Sequence, residues 1–391
     1  MTNVDSSRPS RRIPPVTSIK TLSRRSLLRS GLAMLLGMAA TMSFAPGASA
    51  RDDDAGGAVF ALTNANSPAG NAVVMYRRAS NGTLTPGGTY ATGGTGTGAG
   101  LGSQDAVIVS RDKRFLFAVN AGSDSITSFR IRDAALELVD VQHSGGDQPT
   151  SLTLRHGLLY VLNAGVPNNI TGFKVSADGR LRPIPNSTRS LSGSSVAPAQ
   201  VGFSQDGDSL IVTERGTNLI STFNVGDDGV AEGPIVNPSA GPVPFGFAAG
   251  RRNTILVSEA GTGGGASTYK VDDGNLQRIS AMVMTGQRAA CWALITNNGR
   301  FGYVTNAGTG NISGFALARD GSATLLNANG ITTVTGGNPT DMAMSEDGRY
   351  LYARVGALSQ IAIFRIRDNG SLTALPALPG VPGTLAGLAG F

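Results

Sequence analysis

The stretch IVTERGTNLISTF, Ile211 to Phe223, recurs along the chain. A recurring unit restricts the fold more than any local feature, because each copy must take the same supersecondary form and stack on the next. YVTNAGTGNISGF (Tyr303 to Phe315) and FAVNAGSDSITSF (Phe117 to Phe129) have the same length, while YVLNAGVPNNITGF (Tyr160 to Phe173) and LVSEAGTGGGASTY (Leu256 to Tyr269) carry one residue more. YARVGALSQIAIF (Tyr352 to Phe364) is a degraded copy and ALTNANSPAGNAVVMY (Ala61 to Tyr76) a looser first one. The closing aromatics Tyr76, Phe129, Phe173, Phe223, Tyr269, Phe315 and Phe364 stand 44 to 53 residues apart, which makes seven units.

The repeats leave the first 50 residues unaccounted for. SRRSLL (Ser23 to Leu28) precedes a mostly apolar run, Gly31 to Phe44, and Ala-Ser-Ala at Ala48 to Ala50 closes it. That order of charged, apolar and small residues is expected of a twin-arginine export signal over residues 1–50, with the mature domain at 51–391. The run is too short to span a bilayer, which takes about 20 residues; a basic tail followed by a short buried helix is the plainer alternative. Removing the leader changes the charge argument. The whole chain is +6, but residues 51–391 hold 25 basic and 25 acidic side chains. No basic stripe with interleaved aromatics remains, so nucleic acid is excluded as a partner, as is a membrane once the leader is gone. Cys291 is the sole cysteine, so no internal disulfide is available and a core must hold the domain together.

Within one unit, NPTDMAMSEDGR, YLYARVG, IAIFRIRDNG and SLTALPAL are short runs with β-branched or aromatic residues, broken by Gly, Asp and Asn clusters. Four strands in a unit of about 49 residues specify propeller blades, not helical solenoid repeats. The expected fold is an all-β, seven-bladed β-propeller with four antiparallel strands per blade. The first unit starts at AVFALTN, which aligns with second strands, and the chain ends in GTLAGLAGF, which aligns with innermost strands. The C-terminal strand should therefore complete the N-terminal blade and close the ring.

Strands alternate in direction, so the loops entering each innermost strand share one face with the turns after each second strand. The position after the second strand reads Asn64, Asn120, Asn163, Glu214, Glu259, Asn306 and Val355. Asn is a turn former that tolerates left-handed backbone, which accounts for the repeat. Glu is not, so two neighbouring blades exchange a turn residue for a carboxylate, the sort of local loss expected at a functional site. Glu214 and Glu259 are the candidate catalytic residues, expected at one mouth of the central channel with one pKa raised by the other. Arg215 is expected to screen or pair with them. Two solvated turn residues with Arg215 as a surface partner form the competing account.

The YVTNAG, ISGF and DG-x-L cadence, seven times over, resembles the β-propeller lactonase family, which includes 6-phosphogluconolactonase-like and 3-carboxymuconate cyclase-like proteins. GTGAGLGSQ (Gly96 to Gln104), PFGFA (Pro244 to Ala248) and ACW (Ala290 to Trp292) are similar to exported bacterial members with YVTN-type repeats. The resemblance implies function at Arg and His residues starting the innermost strands and at a Glu after a second strand. Glu214 matches the Glu. The strand starts carry Gln104 and Asp105, Thr150 and Ser151, Ala199 and Gln200, Phe245 and Gly246, Cys291 and Trp292, and Thr340 and Asp341, with no Arg or His among them. That argues against a phosphorylated sugar, which needs cationic clamps.

Other chemistries find no support. His143 and His156 are expected on an outer strand and a turn of the opposite face, and with one cysteine they make no typical zinc site. No nucleophile elbow or phosphate-binding loop is present, and GGTGTGAGLG reads as a flexible loop before a strand. Cys291 reads as a packed thiol. No metal and no cofactor is implied. The reading leans to an exported, periplasmic or extracellular, monomeric lactonase-like hydrolase, or a carboxymuconate cyclase-like lactonising enzyme, acting on a small polar lactone or cyclic organic acid at the central-channel face. Glu214 or Glu259 would be the base, with Gln104, Asp105, Gln200, Arg215, Trp292 and Asp341 binding substrate. The alternative is a non-catalytic YVTN-type propeller binding a ligand or protein on that face, with Trp292 as an apolar platform.

Overall fold

A computed structural model describes residues 56–132 and 135–391 of the chain; the export signal expected over residues 1–50 lies outside the described residues. Seven antiparallel sheets are present. From the inside outward, blade 1 is Ala386–Gly390, Gly57–Leu62, Ala72–Arg78 and Leu84–Ala91, and blade 2 is Val107–Val109, Phe115–Asn120, Ser125–Arg132 and Ala135–His143. Blade 3 runs Pro149–Arg155, Leu158–Asn163, Asn169–Val175 and Leu181–Pro183, with Arg189–Ser190 continuing its outer edge. Blade 4 is Pro198–Phe203, Ser209–Glu214, Leu219–Val225 and Ala231–Pro238, and blade 5 is Pro244–Ala249, Thr254–Glu259, Gly265–Asp272 and Asn275–Met284. Blade 6 is Ala290–Ile295, Phe301–Asn306, Asn311–Leu317 and Ala323–Leu325, extended by Thr333–Val334. Blade 7 is Pro339–Met344, Tyr350–Val355, Gln360–Ile366 and Leu372–Pro379. Single 3-10 turns at Arg251–Asn253 and Gly356–Leu358 are the helical elements among the described residues.

Each innermost strand lies against that of the next blade around a full circle, and the last contact joins Ala386–Gly390 to Val107–Val109. The ring closes as the sequence requires: Val59, Phe60 and Ala61 pair with Gly390, Ala389 and Leu388. The second strands are buried almost throughout, because neighbouring blades cover both faces. The closing aromatics of the repeat become the packing between blades: Phe129, Phe173, Phe223, Phe315 and Phe364 are at most 2 % exposed. Each buried ring of this size contributes about 1.5–3 kcal/mol.

Polar clasps fix the rotation of some blades on the next. Tyr160 donates to the Gly229 carbonyl at 2.7 Å, Tyr303 to Gly370 at 2.8 Å and Tyr352 to Gly82 at 3.0 Å. Each acceptor sits in the tight turn before the next blade's outer strand. At Gly82 the backbone is left-handed, φ 88°, and a Cβ would lie 2.3 Å from the Tyr350 ring, so only glycine fits.

Candidate functional site at the propeller axis

The innermost strands do not start regularly. Their pairing with the second strand slips by one residue between Pro149 and Ser151, Pro198 and Gln200, and Thr340 and Met342. Such bulges re-aim side chains and cluster at functional sites. In blades 7 and 1 the bulged residue is left-handed, Asp341 (φ 48°) and Gly387 (φ 75°), and in blade 2 Asp105 (φ 64°), just ahead of the innermost strand, is left-handed too. Gly387 has no side chain and packs against Val107, where a Cβ would lie 3.0 Å from its backbone nitrogen. Two carboxylates thus flank one glycine at the axis.

Gln104 closes the bore. From blade 2 it crosses to the opposite side, donating to the Ala293 carbonyl at 3.0 Å and the Phe247 carbonyl at 3.3 Å, and accepting from the Ala293 N–H at 3.0 Å. Gln200 donates to Asp105 Oδ2 at 2.7 Å and to the Phe247 carbonyl at 3.1 Å, and accepts from the Phe247 N–H at 2.5 Å. Both amides are committed to the protein. Their amide N–H groups are taken up by protein acceptors: Gln104 spans the bore and Gln200 holds Asp105. The glycine-rich loop leading to Gln104 is held by the Asn64 side chain, which accepts from the Thr97 N–H at 3.1 Å and donates to Thr97 Oγ1 at 2.8 Å.

Beneath the plug lies a well of about 340 Å³, lined by Gln104, Asp105, Gln200, Phe247, Met342 and the far ends of the innermost strands, among them Thr153, Phe203, Ala249, Ile295 and Met344. It extends toward the turns between innermost and second strands, opposite to the mouth where the carboxylates were expected. No Arg, Lys or His lines it.

Asp105 lines this well, and burial pushes its carboxyl up to about 7 although the Gln200 hydrogen bond opposes the shift. Asp341 is raised well above the ordinary carboxylate range, first by burial and then by the charge of Asp105; the Leu388 and Gly387 N–H groups and Arg354 pull the other way. Two acids this close resist double ionisation. Arg354 is a member of this group that sequence reasoning missed. Its Nη1 donates to Thr340 Oγ1 at 2.7 Å and its Nη2 to the Gly383 carbonyl at 2.6 Å, while Nε has no partner. The signal was present: the other six copies carry Thr63, Val119, Leu162, Thr213, Ser258 and Thr305 at this place, all uncharged.

Above the plug, Arg215 stacks over Phe245 at 5.2 Å, and Phe245 packs on Trp292 at 4.9 Å between ring centroids. Arg215 Nε donates to the Ala197 carbonyl at 3.1 Å, so it pairs with neither glutamate. Trp292 is 8 % exposed, its Nε1–H donating to the Ser103 carbonyl at 2.9 Å, which makes it a packed residue and not an open platform. Burial pushes the Cys291 thiol up to about 12, in keeping with a packed thiol. Among the described residues no group of three or more His, Cys, Asp or Glu is placed to hold a metal.

Glu214 and Glu259 are not at the axis. Both are 0 % exposed, neither lines the well, and they share no hydrogen-bond partner. Glu214 accepts from Ser192 N at 3.1 Å, Thr217 Oγ1 at 2.9 Å, Ser221 Oγ at 2.6 Å and the Ser192 hydroxyl. Glu259 Oε1 accepts from Ser239 at 2.8 Å and Ser267 at 2.6 Å. The physical reason is the repeat itself. Asn306 donates to Ser313 at 2.7 Å and Asn120 to Thr127 at 2.9 Å across the same hairpin. In the Glu blades the bond is kept with donor and acceptor exchanged, and the longer arm reaches the preceding loop as well. Nor is Asn here chiefly a left-handed turn former, since of these positions only Asn64 has positive φ.

A family model described as "Lactonase, 7-bladed beta-propeller" matches residues 69–198 and 274–386. No curated protein sequence matches the chain. Among solved structures, a candidate 6-phosphogluconolactonase of Bacteroides fragilis is 19% identical, covering 86% of this chain and 98% of its own, with TM-score 0.70. Another from Bacteroides uniformis is 16% identical over 86% and 99%, TM-score 0.72. The Pseudomonas aeruginosa periplasmic gluconolactonase PpgL is 18% identical over 86% and 99%, TM-score 0.70. At these identities the likeness establishes the fold.

Proposed function

From the premise that the chain belongs to the seven-bladed β-propeller lactonase family, we propose that it hydrolyses a small, uncharged lactone at the floor of the axial well, with Asp105 as the general base. The observation that carries this is Asp105 itself: pinned by Gln200, facing the well, and with its carboxyl near 7. A base poised near the working pH is the most effective one. Asp105 takes a proton from water as the water oxygen attacks the ring carbonyl, and returns it to the ring oxygen when the carbonyl–oxygen bond breaks. Asp341, held neutral beside it, keeps a second negative charge out of the site.

The absence of any cation from the lining supports an unphosphorylated substrate, and aldonolactones are the proposed class; the Pseudomonas aeruginosa protein of this fold is named a gluconolactonase. The volume is at the lower end of that for small-molecule sites, about 300–1,000 Å³. The proposed setting is outside the cytoplasm, supported by Arg24-Arg25 and the Ala-Ser-Ala at Ala48 to Ala50.

The test is a panel of aldonolactones and aromatic lactones with the purified protein and its Asp105→Asn variant. Hydrolysis of at least one neutral lactone is expected, with the variant slower by about 10²-fold or more and a thermal midpoint no lower than the parent's. An inert parent, or a variant at full rate, defeats the proposal; binding without turnover would favour a non-catalytic propeller instead.

A further inference from the structure

Between blades 5 and 6, on the face toward which the well extends, a cleft of about 660 Å³ is lined by Arg251, Arg252, Arg300 and Arg319 against an apolar wall that includes Ile295 and Leu317. It adjoins a second cavity of about 530 Å³, which shares Arg252 and Arg319 and adds Lys270 and Arg278. Asp320 is the one acid lining either, and its Oδ1 is taken by Ser322, which donates from N at 3.0 Å and from Oγ at 2.8 Å. None of the six cations belongs to an ion pair found among the described residues.

The imbalance is written into the turns. In blades 2 and 7 the turn carboxylate accepts from the backbone N–H two residues on, Asp112 from Arg114 at 3.2 Å and Asp347 from Arg349 at 2.9 Å. It also neutralises the arginine there, at 3.9 Å and 2.6 Å. Blade 6 has Asn298 in that place: its Oδ1 still accepts from Arg300 N at 3.0 Å, so the turn is kept while the charge is lost. Arg300 stacks on Phe301 at 5.1 Å, as Arg114 does on Phe115, but without the ion pair that Arg114 also makes. Blade 5 goes further, with no acid in the turn and with Arg252 in left-handed backbone, φ 57° and ψ 36°. Glycine adopts that conformation freely and a residue with a Cβ does so under strain. The strained residue stands at the junction of the two cavities, its Nη1 donating to the Arg319 carbonyl at 3.1 Å.

We propose that this cleft binds a small organic ligand bearing two phosphate-type anionic groups. Arg251 and Arg300 take one group, Lys270 and Arg278 the other, and Arg252 and Arg319 stand between them; the apolar wall accepts the ligand's carbon framework. Guanidinium forks match phosphate oxygens in pairs, and two joined cavities with separate cations ask for two anionic centres. The site is independent of the lactone reading, since it uses none of the residues of the well's floor.

Inorganic pyrophosphate is the probe, titrated calorimetrically into the purified protein at low and moderate salt, with orthophosphate as comparison. Saturable binding near one per chain is expected, about tenfold or more tighter than orthophosphate and weakening as salt rises. Arg252→Gly removes charge and strain together, so affinity should fall about tenfold while the thermal midpoint holds or rises. Arg300→Gln should weaken binding similarly, and lactone turnover should be untouched by either. No saturable binding at millimolar pyrophosphate, equal affinity for the two anions, or variants that bind as the parent does would overturn the proposal.

Discussion

Glu259 holds Oε2 in a closed space with no hydrogen-bond partner, and burial pushes its carboxyl up to about 7 from an ordinary 4.5, against the pull of Ser267, Ser239 and the Gly241 amide. The folded chain therefore keeps a proton that the unfolded chain gives up. Stability from this group is fully present below about 4.5 and is lost as pH rises toward 7. Asp105 acts in the same sense over a window from 3.8 to about 7. Each group tilts the unfolding free energy by up to about 1.4 kcal/mol per pH unit inside its window. The thermal midpoint should fall from pH 5 to 7, and Glu259→Gln, neutral throughout, should flatten that fall; a parent curve that rises over the same range contradicts the assignment. The residue scale is also where the sequence was least legible. Alternation along a strand tells which face a side chain leaves from. It does not tell whether the last residue before a turn, such as Glu214, folds toward the bore or away from it, because a serine 22 residues upstream, in the loop entering the same blade, decides that.

At the scale of the blade, strand count and order were legible, since each strand alternates and each break carries its own turn chemistry. The left-handed positions were not, because nothing in the local sequence distinguishes Asp105 or Asp341 from an ordinary extended residue; the Asp105 carbonyl accepts from Leu152 N–H of the next blade at 2.9 Å, a contact far along the chain. The tyrosine clasps show how unevenly blades are joined. Tyr160, Tyr303 and Tyr352 tie their blades to the next, while Phe117, Ile211 and Leu256 fill the same position with hydrocarbon alone. Tyr303→Phe keeps the ring and leaves the Gly370 carbonyl without its donor. A loss of about 1–2 kcal/mol is expected in denaturant unfolding, with no change in lactone turnover. A neutral result would mean that water replaces the hydroxyl and that packing alone holds the seam.

For the molecule as a whole, the closing strand Ala386–Gly390 covers Val59, Phe60, Ala61 and Leu62, none of which has any exposed surface. Removing residues 384–391 strips the inner edge of blade 1 and uncovers those side chains, an unprotected edge of the kind that drives association. The truncated protein should form soluble aggregates by size-exclusion chromatography; a monomeric truncation with cooperative melting would show that the ring holds without this strand. The same closure brings Ala58, near the start of the first blade, beside the last residue, with Ala58 N–H donating to the Phe391 carbonyl at 3.2 Å and Phe391 N–H donating to the Ala58 carbonyl at 3.0 Å. A short linker between these residues would make the domain a covalent circle, and the circle could then be reopened at any of the exposed turns between outer and innermost strands. The blades have a numerical order only because synthesis has to start somewhere; the assembled wheel gives none of its spokes precedence.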